Sequence, residues 1–185
     1  GTVASEVAYQ ATKDNQIVIE LSSLQLKGIK TFKPHIAIIT NLYEAHLDYH
    51  ESWDDYIVSK AKITENQTQD DFLIINQEQE HLVSLVQSTK ATIIPFSTER
   101  FIENGCSIQN EAIYFKGEEI ISLEQIALPG THNLENILSA VAAAKLSGVT
   151  NQAIRQVLTT FSGVKHRTQF VKEVNNKAPI MHACN

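Results

Sequence analysis

Short β-branched runs alternate with amphipathic stretches through the first half of this chain, and that alternation restricts the fold more than any other feature. The runs are Gln-Ile-Val-Ile-Glu at 16–20, Ile-Ala-Ile-Ile-Thr at 36–40, Phe-Leu-Ile-Ile at 72–75 and Ala-Thr-Ile-Ile-Pro-Phe at 91–96. They have strand length and no polar alternation, as strands covered on both faces do. Between them, residues 52–66 read as a helix, with Ser52 as N-cap and Asp54 and Asp55 in the first turn, where carboxylates suit the helix dipole. Residues 78–88 read as a second helix, with Leu82, Leu85 and Val86 facing inward. Strand and helix in alternation predict an α/β fold, a mainly parallel sheet flanked by helices.

The rhythm changes after residue 100. Three short strand-like pieces, at 107–109, 112–115 and 119–121, are separated by Asn110-Glu111 and Lys116-Gly117-Glu118. Turns of that kind predict a small antiparallel β-sheet beside the main one. An Ala- and Leu-rich helix follows over 134–147, closed by Gly148 as its C′ residue, and another over 151–161, with Asn151 as N-cap.

A chain of 185 residues fits one domain. Its 43% hydrophobic and 19% charged residues are those of a soluble globular protein. The net charge of −6 argues against nucleic acid as a partner. No apolar run is long enough to span a bilayer, and the start carries no signal-peptide pattern, so no membrane partner and a cytoplasmic location are expected. Cys106 and Cys184 form no metal or redox motif and are expected as free thiols.

Chemistry concentrates in a few segments. Glu20-Leu21-Ser22-Ser23-Leu24-Gln25 and Asn41-Leu42-Tyr43-Glu44-Ala45-His46-Leu47-Asp48 each follow an apolar run. The carboxyl ends of strands are where open α/β sheets bind ligands. Glu20 and His46 are therefore candidate ligands for a hard divalent cation, which takes few protein groups and keeps water and phosphate oxygens. Asp48 reads as a capping or supporting group. Lys60 follows Tyr56 by four residues inside the first predicted helix, and on spacing alone it is a solvated lysine like Lys62. Gly130-Thr131-His132-Asn133-Leu134-Glu135-Asn136 opens the Ala-rich helix, a place suited to a nucleotide. Gly163-Val164-Lys165-His166-Arg167 offers an arginine, the side chain best matched to phosphate.

Taken together and in this order, the segments resemble the central, ATP-binding domain of the Mur ligases, which add amino acids to the bacterial cell-wall precursor. The resemblance covers residues 1–176 and implies a P-loop-NTPase-like domain. Glu-Leu-Ser-Ser-x-Gln-Leu and Asn-x-x-x-Ala-His-Leu-Asp-Tyr-His are most similar to the D-glutamate-adding branch. That branch activates the carboxylate of UDP-N-acetylmuramoyl-L-alanine with ATP, as an acyl phosphate, before the amine of D-glutamate attacks.

The resemblance implies roles for single residues. Glu20, His46 and Lys60 would hold Mg²⁺, with two metal sites in the full enzyme and Lys60 carbamylated on its amine. His46 would also touch the substrate end, making Lys60 and His46 the catalytic pair. Ser22 and Gln25 would contact the muramoyl substrate. Asn133 and Asn136 would serve the adenine end of ATP, and Arg167 its phosphate. A monomer is expected.

The departures from the family are equally specific. No Gly-x-x-x-x-Gly-Lys-[Ser/Thr] phosphate loop is present, nor are the N- and C-terminal domains, and residues 177–185 form a tail that does not match the family. A fragment without activity of its own is therefore expected. Two alternatives stay open: another ligase of the superfamily, of the folylpolyglutamate synthase kind, and a non-catalytic scaffold or interaction module.

Overall fold

The computed structural model describes residues 3–43, 49–85, 88–164, 169–174 and 177–182. Three strands run parallel at its centre: β1 (Ile36–Ile39), β2 (Phe72–Asn76) and β3 (Thr92–Ser97), with Ile38 level with Ile74 and Ile74 with Ile94. Successive side chains on a strand point to opposite faces. Ile74 therefore faces one core, with Ile94, Phe96 and Ile113, while Leu73 and Ile75 face the other, with Ala37, Ile39 and Leu42. Both faces carry a core, which is why β1 and the first four residues of β2 are apolar without alternation.

Helices supply the covers. α5 (Asn133–Leu146) and α6 (Asn151–Thr160) bury Leu138, Val141 and Ile154 against the first face. Removing Leu138 entirely from water contributes about 1.5–3 kcal/mol. α3 (Trp53–Ala61) and α4 (Glu80–Leu85) place Tyr56 and Leu82 on the second. Two short helices precede the sheet, α1 (Ala4–Gln10), which buries nothing, and α2 (Ser23–Lys27), which buries Ser23 and Leu26.

Beyond β3 the sheet continues. β4 (Cys106–Gln109) pairs parallel with β3, then β5 (Ala112–Phe115) and β6 (Glu118–Ser122) pair antiparallel, giving one six-stranded sheet in the order β1 to β6. The antiparallel strands thus extend the parallel sheet rather than standing apart from it. Asn110 and Glu111 both take positive φ, 48° and 57°, the backbone of a tight hairpin whose twist matches its strands. β7 (Gln169–Val174) and β8 (Lys177–His182) form a separate antiparallel pair, so the first six residues of the non-matching tail are a strand.

Three expectations are corrected. The run at 16–20 is not a strand: it lies outside the ladder, and Val18 is 99% exposed. Its composition has strand character, but a strand needs a neighbour, and the sheet begins at β1. The helix expected over 52–66 ends as α3 at Ala61 and tightens into a 3₁₀ turn at Lys62–Thr64, where the Thr64 hydroxyl donates to the Ala61 carbonyl. The cap of α6 is Thr150, whose hydroxyl accepts from the Ala153 N–H. Asn151 instead bonds Lys145 and Glu118. Other expectations match. Ser52 caps α3, and α5 closes with Gly148 N–H to Lys145 O and Val149 N–H to Ala144 O, the Schellman arrangement. Cys106 is a free, buried thiol, pushed up to about 12 by that burial and so unreactive. Cys184 lies outside the described residues.

Candidate functional site

Glu20, Ser22, Ser23, Gln25, Tyr56 and Lys60 line one pocket of about 350 Å³. The first four come from the turn into α2. Ser22 caps that helix, its hydroxyl accepting from the Gln25 N–H, while the Gln25 side-chain oxygen accepts from the Ser22 N–H at 2.9 Å. This is the reciprocal capping box, and Ser-x-x-Gln is its sequence signature. The box holds both expected substrate-contacting side chains in one conformation. It also uses the Gln25 oxygen, leaving its amide N–H₂ outside the box.

Tyr56 and Lys60 come from the opposite wall, one turn apart on α3 and so on one helix face. The Lys60 amine lies 5.7 Å from the centre of the Tyr56 ring. Burial lowers the Lys60 pKa, and the charge of Glu20 partly offsets that shift. The pocket thus brings together a carboxylate and an amine biased toward its neutral form. Among the described residues no three His, Cys, Asp or Glu side chains are placed to hold a metal ion. One carboxylate with outside oxygens suits Mg²⁺, which binds through few protein groups, so Glu20 fits that ion. His46, Asp48 and Arg167 lie outside the described residues.

Asn133 and Asn136 line no part of this pocket. They sit in the first turn of α5, where His132 provides no side-chain cap. The Asn133 amide donates to the Pro129 carbonyl at 2.7 Å, and Asn136 is exposed. Gly130 turns the chain into this helix at φ 93°, and a Cβ there would lie 2.5 Å from the His132 ring. Asn76, at the carboxyl end of β2, donates to Glu135 at 3.0 Å and so ties the start of α5 to the sheet. A larger pocket of about 440 Å³, between Leu42, Trp53 and His81, gathers none of the residues expected from the sequence.

Sequence reasoning missed a buried chain beneath the first pocket. Ser23 Oγ lies 2.8 Å from His50 Nε2, and His50 Nδ1 lies 3.0 Å from Asp55 Oδ2. Lys27 pairs with the same Asp55 oxygen at 2.9 Å. Hydrogen bonds from Lys27, then from His50, hold the Asp55 carboxyl below the usual range. The five-residue spacing of His50 and Asp55 carries no periodic signal, and Ser23 is far away in sequence.

No described helix is long and apolar enough to cross a membrane. Residues 4–144 match the Mur ligase middle domain. The chain is 57% identical over 173 residues to the UDP-N-acetylmuramoylalanine–D-glutamate ligase of Listeria innocua, covering 94% of this chain and 38% of that protein. It is 49% identical over 177 residues to the enzyme of the same name from Bacillus subtilis, covering 96% and 39%. The chain therefore spans about two fifths of the length of these relatives. Among solved structures, MurC from Thermotoga maritima superposes with a TM-score of 0.63 at 20% identity, over 88% of this chain and 36% of that one. E. coli FolC, solved in complex with DHPP and ADP, superposes at 0.59 and 18% identity, over 82% and 34%, so the fold is shared with both structures. The matched span takes in both walls of the pocket and the whole first turn of α5, and the sheet beneath them has the neighbours' architecture: the chain belongs to the Mur ligase family and contains its middle domain.

Proposed function

We propose that this chain is the ATP-binding part of a ligase that joins D-glutamate to UDP-N-acetylmuramoyl-L-alanine in peptidoglycan precursor synthesis. The observation that carries this reading is the degree of identity to D-glutamate ligases, 57% and 49%, against 18–20% for the MurC and FolC structures. In the reaction the L-alanyl carboxylate takes the γ-phosphoryl group of ATP, giving an acyl phosphate and ADP. The D-glutamate amine then adds to the acyl carbon, and phosphate leaves as the amide forms.

Each residue of the site has a task in that sequence. Glu20, with His46, holds Mg²⁺, which supplies charge neutralisation at the transferred phosphoryl group. The Lys60 amine, whose pKa burial lowers, would add to carbon dioxide through its lone pair and lose a proton, giving an anionic carbamate that with Glu20 would hold the ion. Ser22 and Gln25 contact the muramoyl substrate from a preformed capping box. Asn133 and Asn136 serve adenine at the start of α5, and Arg167 serves phosphate. The complete protein works as a cytoplasmic monomer, and these 185 residues alone are inactive, since they contain no phosphate-cradling loop.

Mg²⁺-dependent ATP binding, measured by calorimetry on this chain and on one extended upstream through a phosphate loop, tests the reading. Binding by the extended protein alone is expected. Binding by neither, with both folded, would overturn the roles of Asn133, Asn136 and Arg167 and favour a scaffold. D-glutamate-dependent phosphate release by the 185 residues alone would overturn their inactivity.

A further inference from the structure

Ser23, His50 and Asp55 have the bonding order of a hydrolase triad, but not its exposure. Ser23 and His50 are only 3% and 4% exposed, so Ser23, though it lines the pocket, has its hydroxyl engaged by a buried ring rather than presented as a nucleophile. Its members come from three places: Ser23 opens α2, Asp55 lies in the first turn of α3, and His50 sits on the approach to α3. The His50 ring also meets Tyr56 edge-on, with centroids 5.3 Å apart. Asp55, as a carboxylate, only accepts. In the neutral ring Nδ1 therefore carries the proton, and Nε2 accepts from the Ser23 hydroxyl.

We propose that His50 is a positioning residue, a tautomer-locked clamp that fastens the Glu20-to-Gln25 wall of the pocket to the α3 wall and sets Ser22 and Gln25 against Lys60. The clamp spans 27 residues of chain from Ser23 to His50 and is buried at its centre. Both ring nitrogens are engaged, so neither wall moves without breaking a buried hydrogen bond, which leaves a polar group unpaired. Lys27 adds a second, exposed strap from the end of α2 to the same Asp55 carboxylate. The Tyr56 ring, met edge-on by His50, carries the constraint to Lys60, whose amine lies 5.7 Å from the ring centre one turn on. The pocket walls thus keep their spacing without a bound ligand, the preorganisation that a site needs to orient substrate.

This inference rests on the proposed function only for its substrate readout, so two measurements are paired. The first uses the 185-residue chain. Nitrogen-15 NMR of the imidazoles is expected to find His50 protonated at Nδ1 and bare at Nε2. Amide exchange at Leu26, whose N–H bonds the Ser22 carbonyl, is expected to quicken about tenfold in Ser23→Ala and His50→Phe, with Ile74 in β2 unchanged. His50→Gln, which keeps a partner for Ser23, is expected to recover most of the protection. The opposite tautomer, or equal quickening at Leu26 and Ile74, would overturn the clamp, and the tautomer in the unsubstituted chain decides the matter even where His50→Phe does not fold.

The second uses the complete ligase. His50→Phe is expected to raise KM for the muramoyl substrate about tenfold and leave KM for ATP unchanged, with His50→Gln intermediate. A parallel rise in both constants would overturn the positioning role. Absence of ligase activity in the unsubstituted protein would instead overturn the proposed function, leaving the NMR result to judge the clamp.

Discussion

Asp71 is the most heavily bonded carboxylate among the described residues, and it shows how one residue fixes the entry to a strand. It lies just before β2, with its side chain 6% exposed. Burial pushes its carboxyl up, but the Thr68 N–H at 2.7 Å, Lys33 at 2.9 Å, His35 at 3.2 Å and the Thr68 hydroxyl together outweigh burial and hold it well below the usual carboxylate range. A folded-state pKa below the unfolded one means that the unfolded chain binds more protons at intermediate pH. The stabilisation is complete above about pH 4, falls as the pH drops below that value, and is lost once the folded carboxyl also protonates. Asp71→Asn turns one acceptor oxygen into a donor facing Lys33 and Thr68. It is expected to cost about 2 kcal/mol in urea unfolding at pH 7, a gap that narrows as the pH falls from about 4 toward 2. A gap independent of pH would remove the carboxylate account. In the first pocket the Lys60 pKa is also lowered, but there burial is the cause and the shift favours the uncharged amine rather than the charged group.

Among the described glycines, the one that leads into β4 is the most crowded, packed against β3. A Cβ on Gly105 would lie 2.1 Å from the Pro95 carbonyl oxygen and 2.8 Å from Ile102 Cγ2. Backbone cannot yield as a flexible side chain can, so Gly105→Ala is expected to cost about 2–3 kcal/mol and to loosen the pairing of Phe96 with Cys106. Gly117→Ala meets open space but must hold φ 78°, and is expected to cost only about 1 kcal/mol in the same urea titration. The reverse order would mean that strain in the turn, not crowding at the strand, governs this half of the sheet. The elements differ in how far sequence exposes them. β2 was legible because burial on both faces writes an unbroken apolar run, and β3 because Ile93 to Phe96 stay apolar although its first two residues are exposed. The hairpin turn at Asn110-Glu111 was legible because positive φ demands particular residues. Residues 16–20 have the same composition as those strands and no ladder, because pairing depends on what stands alongside and not on the run itself. Motif order pointed to Glu20 and Lys60, which line one pocket, while the capping box, though written as Ser-x-x-Gln, was not read from the sequence. His50 was not legible, since its partners come from distant positions and meet only when α2 and α3 pack.

The whole molecule treats its two sheet edges differently. At the β6 edge, Arg155 of α6 donates to the Ile120 carbonyl and, at 3.4 Å, to the Glu119 carbonyl, while Glu118 and Glu119 add charge. Free strand carbonyls are thereby occupied, and approach by another strand is opposed. At the β1 edge no described strand pairs on the outer side, and Ile38 is 37% exposed. Nearby in sequence, Ile17, Val18 and Ile19 are 42%, 99% and 41% exposed on a backbone that belongs to no helix or strand. An open ladder together with an exposed β-branched run is the combination that templates association between chains. Sedimentation velocity of the 185-residue chain is therefore expected to show an average mass that rises with concentration above the 20.6 kDa of one copy. Val18→Lys with Ile38→Lys should return it to one copy, because a charge on an edge is costly to bury against a second sheet. Arg155→Ala in that doubly substituted chain should bring association back by baring the β6 carbonyls. A single-copy mass at every concentration in the unsubstituted chain would mean that the β1 edge is protected after all, and that apolar exposure at 16–20 does not act as a strand template.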